Sequence, residues 1–467
     1  MDPLLGTALL GAGLLALAAL LLRKPSTPTG VPTGAFGWPL VGETFQLLAQ
    51  PRVFVDDRVS RYGAFFATHV FGSPTIYATT PDAAKYFLAD AQRLMKPGYP
   101  PSVEAIQDPT RVMDGALHSR IRKTLQPSLG PDALHRPQFV AFTDSVARET
   151  LRSWEGRLVN THDEMRKYTF SVILHILCSV EPGPESDEMR GHFYDVESGF
   201  VSMPIRLPFT NYSRGLQARD RIFEAMDKMM AQRRTNHNSR ANDVLDALME
   251  SEVDGVRLTD AQIKGVLMFC LIAGHETSSS LLTWIVMHLA NNPDLWTALQ
   301  KEHDSIRQTK LSADEALTWS DMKQMQLTNR VIQEALRISS LVAYVPRIPL
   351  DDMSYKGVVL PKDWHVHVDL ASIHLNPDIY PEPHKFDPSR FEATPKPNTF
   401  IPFGTGHRIC PGNELAKVES LIFLHQLVST YSWEIISGFK GIEHWPIPRP
   451  KGGLNISVKC RRGAYVN

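Results

Sequence analysis

Cysteine and net charge are both scarce in this chain. Of 467 residues only four are cysteine, Cys178, Cys270, Cys410 and Cys460, and they stand far apart. No pair has the C-x-x-C spacing of a zinc ligand set or a dithiol redox centre. Disulfide frameworks belong to short secreted chains, so a reducing compartment is the expectation. Basic and acidic residues nearly cancel, 49 against 50, for a formal net charge of −1. Without a basic surplus, no nucleic-acid partner is expected. Internal repeats, low-complexity linkers and flavin or nicotinamide motifs are also missing. The glycine run Gly11–Ala16, GAGLLA, imitates a dinucleotide loop, but no strand precedes it and it lies inside an apolar segment.

That segment, Leu4–Leu22, is uncharged and apolar throughout. At 1.5 Å per helical residue it spans roughly 28 Å, close to the hydrocarbon thickness of a bilayer. Arg23 and Lys24 follow it and Asp2 precedes it. A cleaved signal peptide starts basic and has a shorter apolar run, so residues 1–24 read as a single membrane anchor. The positive-inside bias then places the rest of the chain in the cytosol. Residues 25–44 are rich in Pro and Gly and read as a stiff hinge. Residues 45–467 read as one large domain, mainly α with a minor β part. Ala67–Leu88 alternates as a small sheet and then turns helical, and Val345–Leu370 reads as hairpins. Thr259–Asn292 is a long apolar helical pattern with Thr259 and Asp260 as capping candidates. Gly274, His275, Glu276 and Thr277 interrupt it, so a buried central helix is expected rather than a second span.

Cys410 sits in a glycine-rich loop, IPFGTGHRICPG, immediately before an apolar helical pattern. A sulfur at a helix start meets orphan backbone N–H groups and the positive end of the dipole, both of which favour thiolate. Glycines at 404, 406 and 412 let the backbone approach a flat partner. A nucleophile, a metal ligand and a buried structural thiol all remain open on these grounds.

The order Phe403, Gly406, Arg408, Cys410, Gly412 resembles the haem-binding loop of the cytochrome P450 family, F-x-x-G-x-R-x-C-x-G. EALR (Glu334, Arg337) resembles its E-x-x-R helix, and FDPSRF supplies Arg390, which in the family locks onto that pair. AGHETS (Ala273–Ser278) resembles the oxygen-activation stretch, and HSRIR (His118, Arg122) the helix that meets the haem propionates. The resemblance covers essentially the whole chain. It implies the cytochrome P450 fold with one N-terminal transmembrane helix and haem as cofactor, with Cys410 as axial ligand. Phe403, Gly406 and Gly412 would shape the loop, and His118, Arg122, Arg347 and Arg408 would face the propionates. It implies that Gly274 and Ala273 leave room for oxygen, that Thr277 hydrogen-bonds it and that Glu276 relays protons. The residues themselves leave a second role open for Thr277, a hydroxyl bonded back to a carbonyl one turn earlier. Glu334, Arg337 and Arg390 would support the cysteine loop.

Ile106, Val112, Met203, Ile205, Val342, Ala343, Val345 and Leu454 fall where the family lines its substrate cavity, and they are mostly aliphatic. A lipophilic substrate held by shape is the expectation. Finer resemblance is to a plant group: CPGNELAKVESLIFLHQLV resembles abscisic acid 8′-hydroxylases, and AGHETSS resembles brassinosteroid hydroxylases. Triterpenoid and gibberellin-pathway oxidases belong to the same group. The implied activity is hydroxylation of an isoprenoid C–H bond with O2 and electrons from an NADPH-cytochrome P450 reductase, at the endoplasmic reticulum membrane. Arg120 and Lys123 are assigned to the docking face for that partner. A haem-thiolate isomerase or dehydratase and a non-catalytic haem sensor are the alternatives.

Overall fold

Phe65–Val70 and Ser73–Ala78 are joined by a tight turn in which Phe71 and Gly72 both have positive φ, 54° and 77°. That geometry matches the right-handed twist of paired strands. The computed structural model describes residues 28–38, 41–99, 115–200, 202–235, 243–253, 255–312, 315–444 and 447–461. The expected anchor at residues 1–24, and Ile106 and Val112, lie outside the described residues. The chain forms two compact units. The first holds the residues up to Gly98 with Val342–Ile379 and Gly404–Arg408. The second holds Tyr99–Leu341, Tyr380–Phe403 and Ile409 onward.

The first unit is built around a six-stranded sheet, with short helices and a two-stranded hairpin beside it. The strands of the large sheet are β1 (Gly34–Ala35), β2 (Phe65–Val70), β3 (Ser73–Ala78), β4 (Met95–Pro97), β5 (Tyr344–Pro349) and β6 (His365–Asp369), in the order β1-β2-β3-β6-β5-β4. Helix α1 (Pro51–Tyr62) has Pro at its start and a glycine with φ 88° at its end, Gly63. Its Phe54 and Val55 pack with Leu47, Phe66, Val70 and Tyr77 into a small core. Strand alternation puts Val345 and Arg347 on one face of β5 and Tyr344 on the other. There Tyr344 stacks on His367, with ring centroids 4.2 Å apart.

The second unit is helical. Its main elements are α2 (Gly115–Leu129), α3 (Thr161–Cys178), α4 (Pro184–Phe200), α5 (Asn211–Thr235), α6 (Asp260–Ala290), α7 (Gln326–Ser339) and α8 (Asn413–Thr430). A three-stranded sheet of Tyr431–Ile435, Asn455–Cys460 and Leu158–Asn160 completes it. Helix α6 starts at the expected cap: the Thr259 hydroxyl accepts from the Gln262 N–H, and the Gln262 side chain returns the bond to the Thr259 N–H. It is long and apolar enough to cross a membrane, yet it is largely buried within the unit. Helix α3 runs against it so closely that a Cβ on Gly274 would lie 2.9 Å from Cδ1 of Ile173.

Candidate functional site

The Cys410 loop folds back on itself through one bond, from the Cys410 N–H to the Phe403 carbonyl at 2.9 Å. Gly404 and Gly406 take φ of 72° and 79° on the way round, a conformation open to glycine at little cost. Arg408 closes a short 3-10 turn, Gly406–Arg408, before the sulfur. From α2, the Arg122 guanidinium donates to the Ile409 carbonyl and so ties the loop next to Cys410. Helix α8 begins at Asn413, with Gly412 at its cap position.

Sequence reasoning expects a thiolate here. Two influences oppose each other at the sulfur: burial pushes the Cys410 thiol up, and the Gly412 N–H and the Arg122 charge pull it down. The N–H and the guanidinium act in the direction that a metal-bound thiolate needs. Cys410 is free and half-buried, whereas Cys178 and Cys270 are fully buried and pushed up by burial to about 12. A loop with a free sulfur, an N–H aimed at it and a nearby guanidinium fits an iron-ligating thiolate. His118 and Arg122 lie on α2 in the second unit. In the first unit Arg347 is buried on β5, with one amine donating to the Pro346 carbonyl at 2.9 Å, and Arg408 lies in the loop turn. Guanidinium groups of this kind pair well with carboxylates.

On α6, Ala273 and Thr277 are four residues apart and share an accessible face. The Thr277 hydroxyl donates to the Ala273 carbonyl at 2.7 Å, the back-bond that the sequence left open. Gly274 does not belong to that face. Its missing side chain is explained by the approach of Ile173, so the room expected from Gly274 is helix-packing room. Glu276 also turns away, into a buried ionic cluster. Its carboxylate accepts from Arg449 at 2.6 Å and lies 3.2 Å from Arg166 Nε and 3.4 Å from His162 Nε2. Burial alone would raise its pKa, but His162 and Arg166 overturn that and hold it at about 2. His275 is fully buried among Phe170, Phe193 and Tyr194, with Nδ1 3.1 Å from the Thr169 hydroxyl; burial lowers its pKa to about 3.

Ligand atoms of Glu197, His275 and Glu276 converge within 4.8 Å. Arg166 already supplies the cation there, pairing with both carboxylates, so the cluster is an ion-pair network and not a metal centre. Sequence reasoning missed Arg166, Glu197, His162 and Arg449. They are far apart along the chain and carry no local motif.

Glu334, Arg337 and Arg390 are brought together. Arg337 donates twice to the Glu334 carboxylate, at 2.7 Å each, with both side chains fully buried. Arg390 Nε lies 3.4 Å from Glu334 Oε1, which also accepts from the Asp387 N–H at 2.9 Å. The trio fastens the segment before the cysteine loop to α7. Of the expected cavity residues, Leu454 is buried, and Ala343 and Val345 are half-buried. Met203 and Ile205 are instead 73% and 46% exposed and Val342 is 41% exposed, so these three lie at the surface. Arg120 and Lys123 have different settings. The Arg120 guanidinium binds the Ser251 carbonyl and hydroxyl at the end of the helix Val244–Glu250, while Lys123 stays exposed.

The family model for cytochrome P450 matches residues 32–455. The chain is 39% identical over 437 residues to abscisic acid 8'-hydroxylase 1 of Arabidopsis thaliana, covering 93% of this chain and 92% of that one. It is 40% identical over 430 residues to abscisic acid 8'-hydroxylase 3 of Oryza sativa subsp. indica, covering 91% and 85%. Among solved structures, retinoic acid bound cyanobacterial CYP120A1 superposes with a TM-score of 0.83 at 26% identity, covering 93% of this chain and 100% of that one. Because the match runs through both units and takes in the Cys410 loop, the chain belongs to the cytochrome P450 family and is a haem-thiolate monooxygenase.

Proposed function

We propose that this P450 hydroxylates a C–H bond of a lipophilic isoprenoid, abscisic acid or a sterol-like hormone of the brassinosteroid type. It would work at the endoplasmic reticulum membrane with electrons from NADPH-cytochrome P450 reductase. The observation that carries the reading is the 39% identity to an abscisic acid 8'-hydroxylase along 93% of the chain. The aliphatic character of Ala343, Val345 and Leu454 supports a substrate held by shape, with few polar handles. The membrane reading rests on Leu4–Leu22 with Arg23 and Lys24 after it. Exposed Met203, Leu207 and Phe209 support it, since large apolar side chains clustered at a surface suit a lipid contact.

Haem bound through a cysteine thiolate supplies the activation of O2. The chain's residues do the rest. Cys410 would hold the iron, and Arg122, His118, Arg347 and Arg408 would hold the carboxylates. Phe403, Gly406 and Gly412 shape the loop, which Glu334, Arg337 and Arg390 brace. The Thr277 hydroxyl can turn from the Ala273 carbonyl to donate a proton at the accessible face of α6. Glu276 would set the local charge behind it. A triterpenoid or gibberellin-pathway substrate is the second reading, because the group motifs are shared across those isoprenoids. Turnover of abscisic acid, brassinosteroid precursors, triterpenes and ent-kaurenoids by the full-length holoenzyme tests both. Hydroxylated product must depend on NADPH and reductase; a product formed equally without them indicates an isomerase or dehydratase.

A further inference from the structure

Helix α8 begins without a side-chain cap. Its cap residue is Gly412, which has no side chain to offer, so the N–H groups at this end look for partners elsewhere. The Gly412 N–H finds the Cys410 sulfur. The two residues are close enough that a Cβ on Gly412 would lie 3.9 Å from Sγ. The Gly412 carbonyl closes the first turn of α8 by accepting from the Ala416 N–H at 2.9 Å. The aim of the Gly412 N–H is therefore only as well fixed as that turn. Asn413 Oδ1 accepts from the Glu414 N–H at 2.7 Å, a bond between chain neighbours that ties the turn to nothing outside it.

Glu414 supplies the outside tie. Its carboxylate lies 2.7 Å from Nε2 of His135. A carboxylate only accepts, so Nε2 carries the proton. His135 is itself held on two sides. Its N–H donates to the Pro131 carbonyl at 2.9 Å, at the end of the short helix Pro131–Leu134. Its ring lies flat on Trp319, with centroids 3.4 Å apart and planes 11° from parallel. Trp319 opens the helix Trp319–Gln324, whose start is fixed by a capping box between Thr318 and Asp321. The side chains of His135 and Glu414 are only 19% and 20% exposed, so water competes weakly for their bond. Three separate segments thus meet at the turn that carries the N–H aimed at the sulfur.

We propose that Glu414 and His135 are positioning residues for the cysteine sulfur: their bond holds the first turn of α8, and with it the Gly412 N–H, on Cys410, and so sets how readily the haem takes an electron. The inference rests on Cys410 as the haem ligand and is independent of which substrate is hydroxylated. One electron enters on reduction, and no bond forms or breaks at Glu414 or His135. An N–H on a thiolate draws electron density from it, which favours the reduced iron. Loosening the turn makes the sulfur a stronger donor and the haem harder to reduce. Removing the Glu414 charge by itself acts the other way, since a negative charge near the iron opposes reduction. The sign of the change therefore separates positioning from charge.

The test uses the full-length holoenzyme without substrate. Its readouts are the midpoint potential, from a spectroelectrochemical titration with mediators, and the C–O stretch of the reduced CO complex. In Glu414→Ala the reduction equilibrium should shift about threefold or more toward the ferric form, about 30 mV at 59 mV per tenfold. The C–O stretch should fall, because a more electron-rich iron donates more into CO. Glu414→Gln, whose amide oxygen still accepts from His135, should recover most of both. Wild-type values in Glu414→Ala overturn the proposal, and so do equal shifts in Glu414→Gln. A Glu414→Ala enzyme that is easier to reduce also overturns it, since Glu414 would then act by its charge alone. If Glu414→Ala does not load with haem, Glu414→Ser, too short to reach His135, takes its place with the same outcomes. Loss of holoprotein in both overturns the proposal, because the pair would then serve folding only. A wild-type enzyme without the red-shifted band of thiolate-ligated haem sinks Cys410 as ligand and this proposal with it. One that shows the band and turns over no isoprenoid sinks only the proposed substrate.

Discussion

Gly274→Ala tests the packing account of α6 directly. An ideal Cβ at that position lies 2.9 Å from Cδ1 and 3.1 Å from Cγ1 of Ile173, well inside the ordinary carbon contact distance of about 3.5–4.0 Å. Two effects oppose each other. Helix propensity favours Ala over Gly by about 1 kcal/mol, and overpacking a filled interface costs about 1–3 kcal/mol. Ile173 is buried at 3% exposure, so it yields only by leaving its rotamer or moving α3. Overpacking should win by about 1 kcal/mol, or about 1–2 °C in a protein of this size. Ile173→Val removes Cδ1 and alone costs about 1 kcal/mol. In the Gly274→Ala background the same change relieves the clash, so the two substitutions should miss additivity by about 1 kcal/mol. The assay is thermal unfolding of the haem-loaded proteins at one fixed scan rate, because large proteins commonly unfold irreversibly. The reduced CO spectrum of Gly274→Ala should survive, whereas a glycine needed for ligand room would lose it. A Gly274→Ala protein more stable than wild type, or strictly additive effects in the double variant, refutes the reasoning.

Three other outcomes are expected. Arg337→Ala leaves the fully buried Glu334 facing Arg390 at 3.4 Å. Breaking such a pair costs about 3–5 kcal/mol, so the ratio of haem-loaded to total protein should collapse; a wild-type ratio contradicts this. Thr277→Ala removes the hydroxyl now bonded to the Ala273 carbonyl. Product per NADPH should fall by about tenfold or more with substrate affinity unchanged, and undiminished coupling contradicts it. Burial lowers the pKa of His275 and His303 to about 3 and that of His288 to about 4, while the unfolded chain binds these protons near pH 6.5. The folded values are depressed, so this stability is complete above about pH 6.5 and is lost as pH falls toward the folded values. Each group should give up about 1 kcal/mol by about pH 5.5. A thermal midpoint flat from pH 7.5 to 5.5, each taken as about that value, contradicts the linkage.

What the sequence made legible was local. The Thr259 cap is written within three residues of its partner Gln262, and Glu334 and Arg337 share a helix face by their spacing. The loop around Cys410 announces its turns through its glycines. What stayed hidden depends on packing between distant segments. Nothing near Gly274 in sequence names Ile173, and nothing in the stretch around Arg166 names Glu197, Glu276 or Arg449 as neighbours. Met203 and Ile205 show the same limit from the other side, for an aliphatic residue does not say which way it faces. At Cys410 the helix start is visible in sequence, whereas the burial that opposes it is not.

The central claim is that Cys410 is the sulfur ligand of the haem, and Cys410→Ser tests it most directly. The measurement is the absorbance of the dithionite-reduced, CO-treated protein, with Cys460→Ser, at an exposed site, as the control. The account predicts that the red-shifted band of thiolate-ligated haem disappears in Cys410→Ser and persists in Cys460→Ser. The same band retained in Cys410→Ser would contradict it.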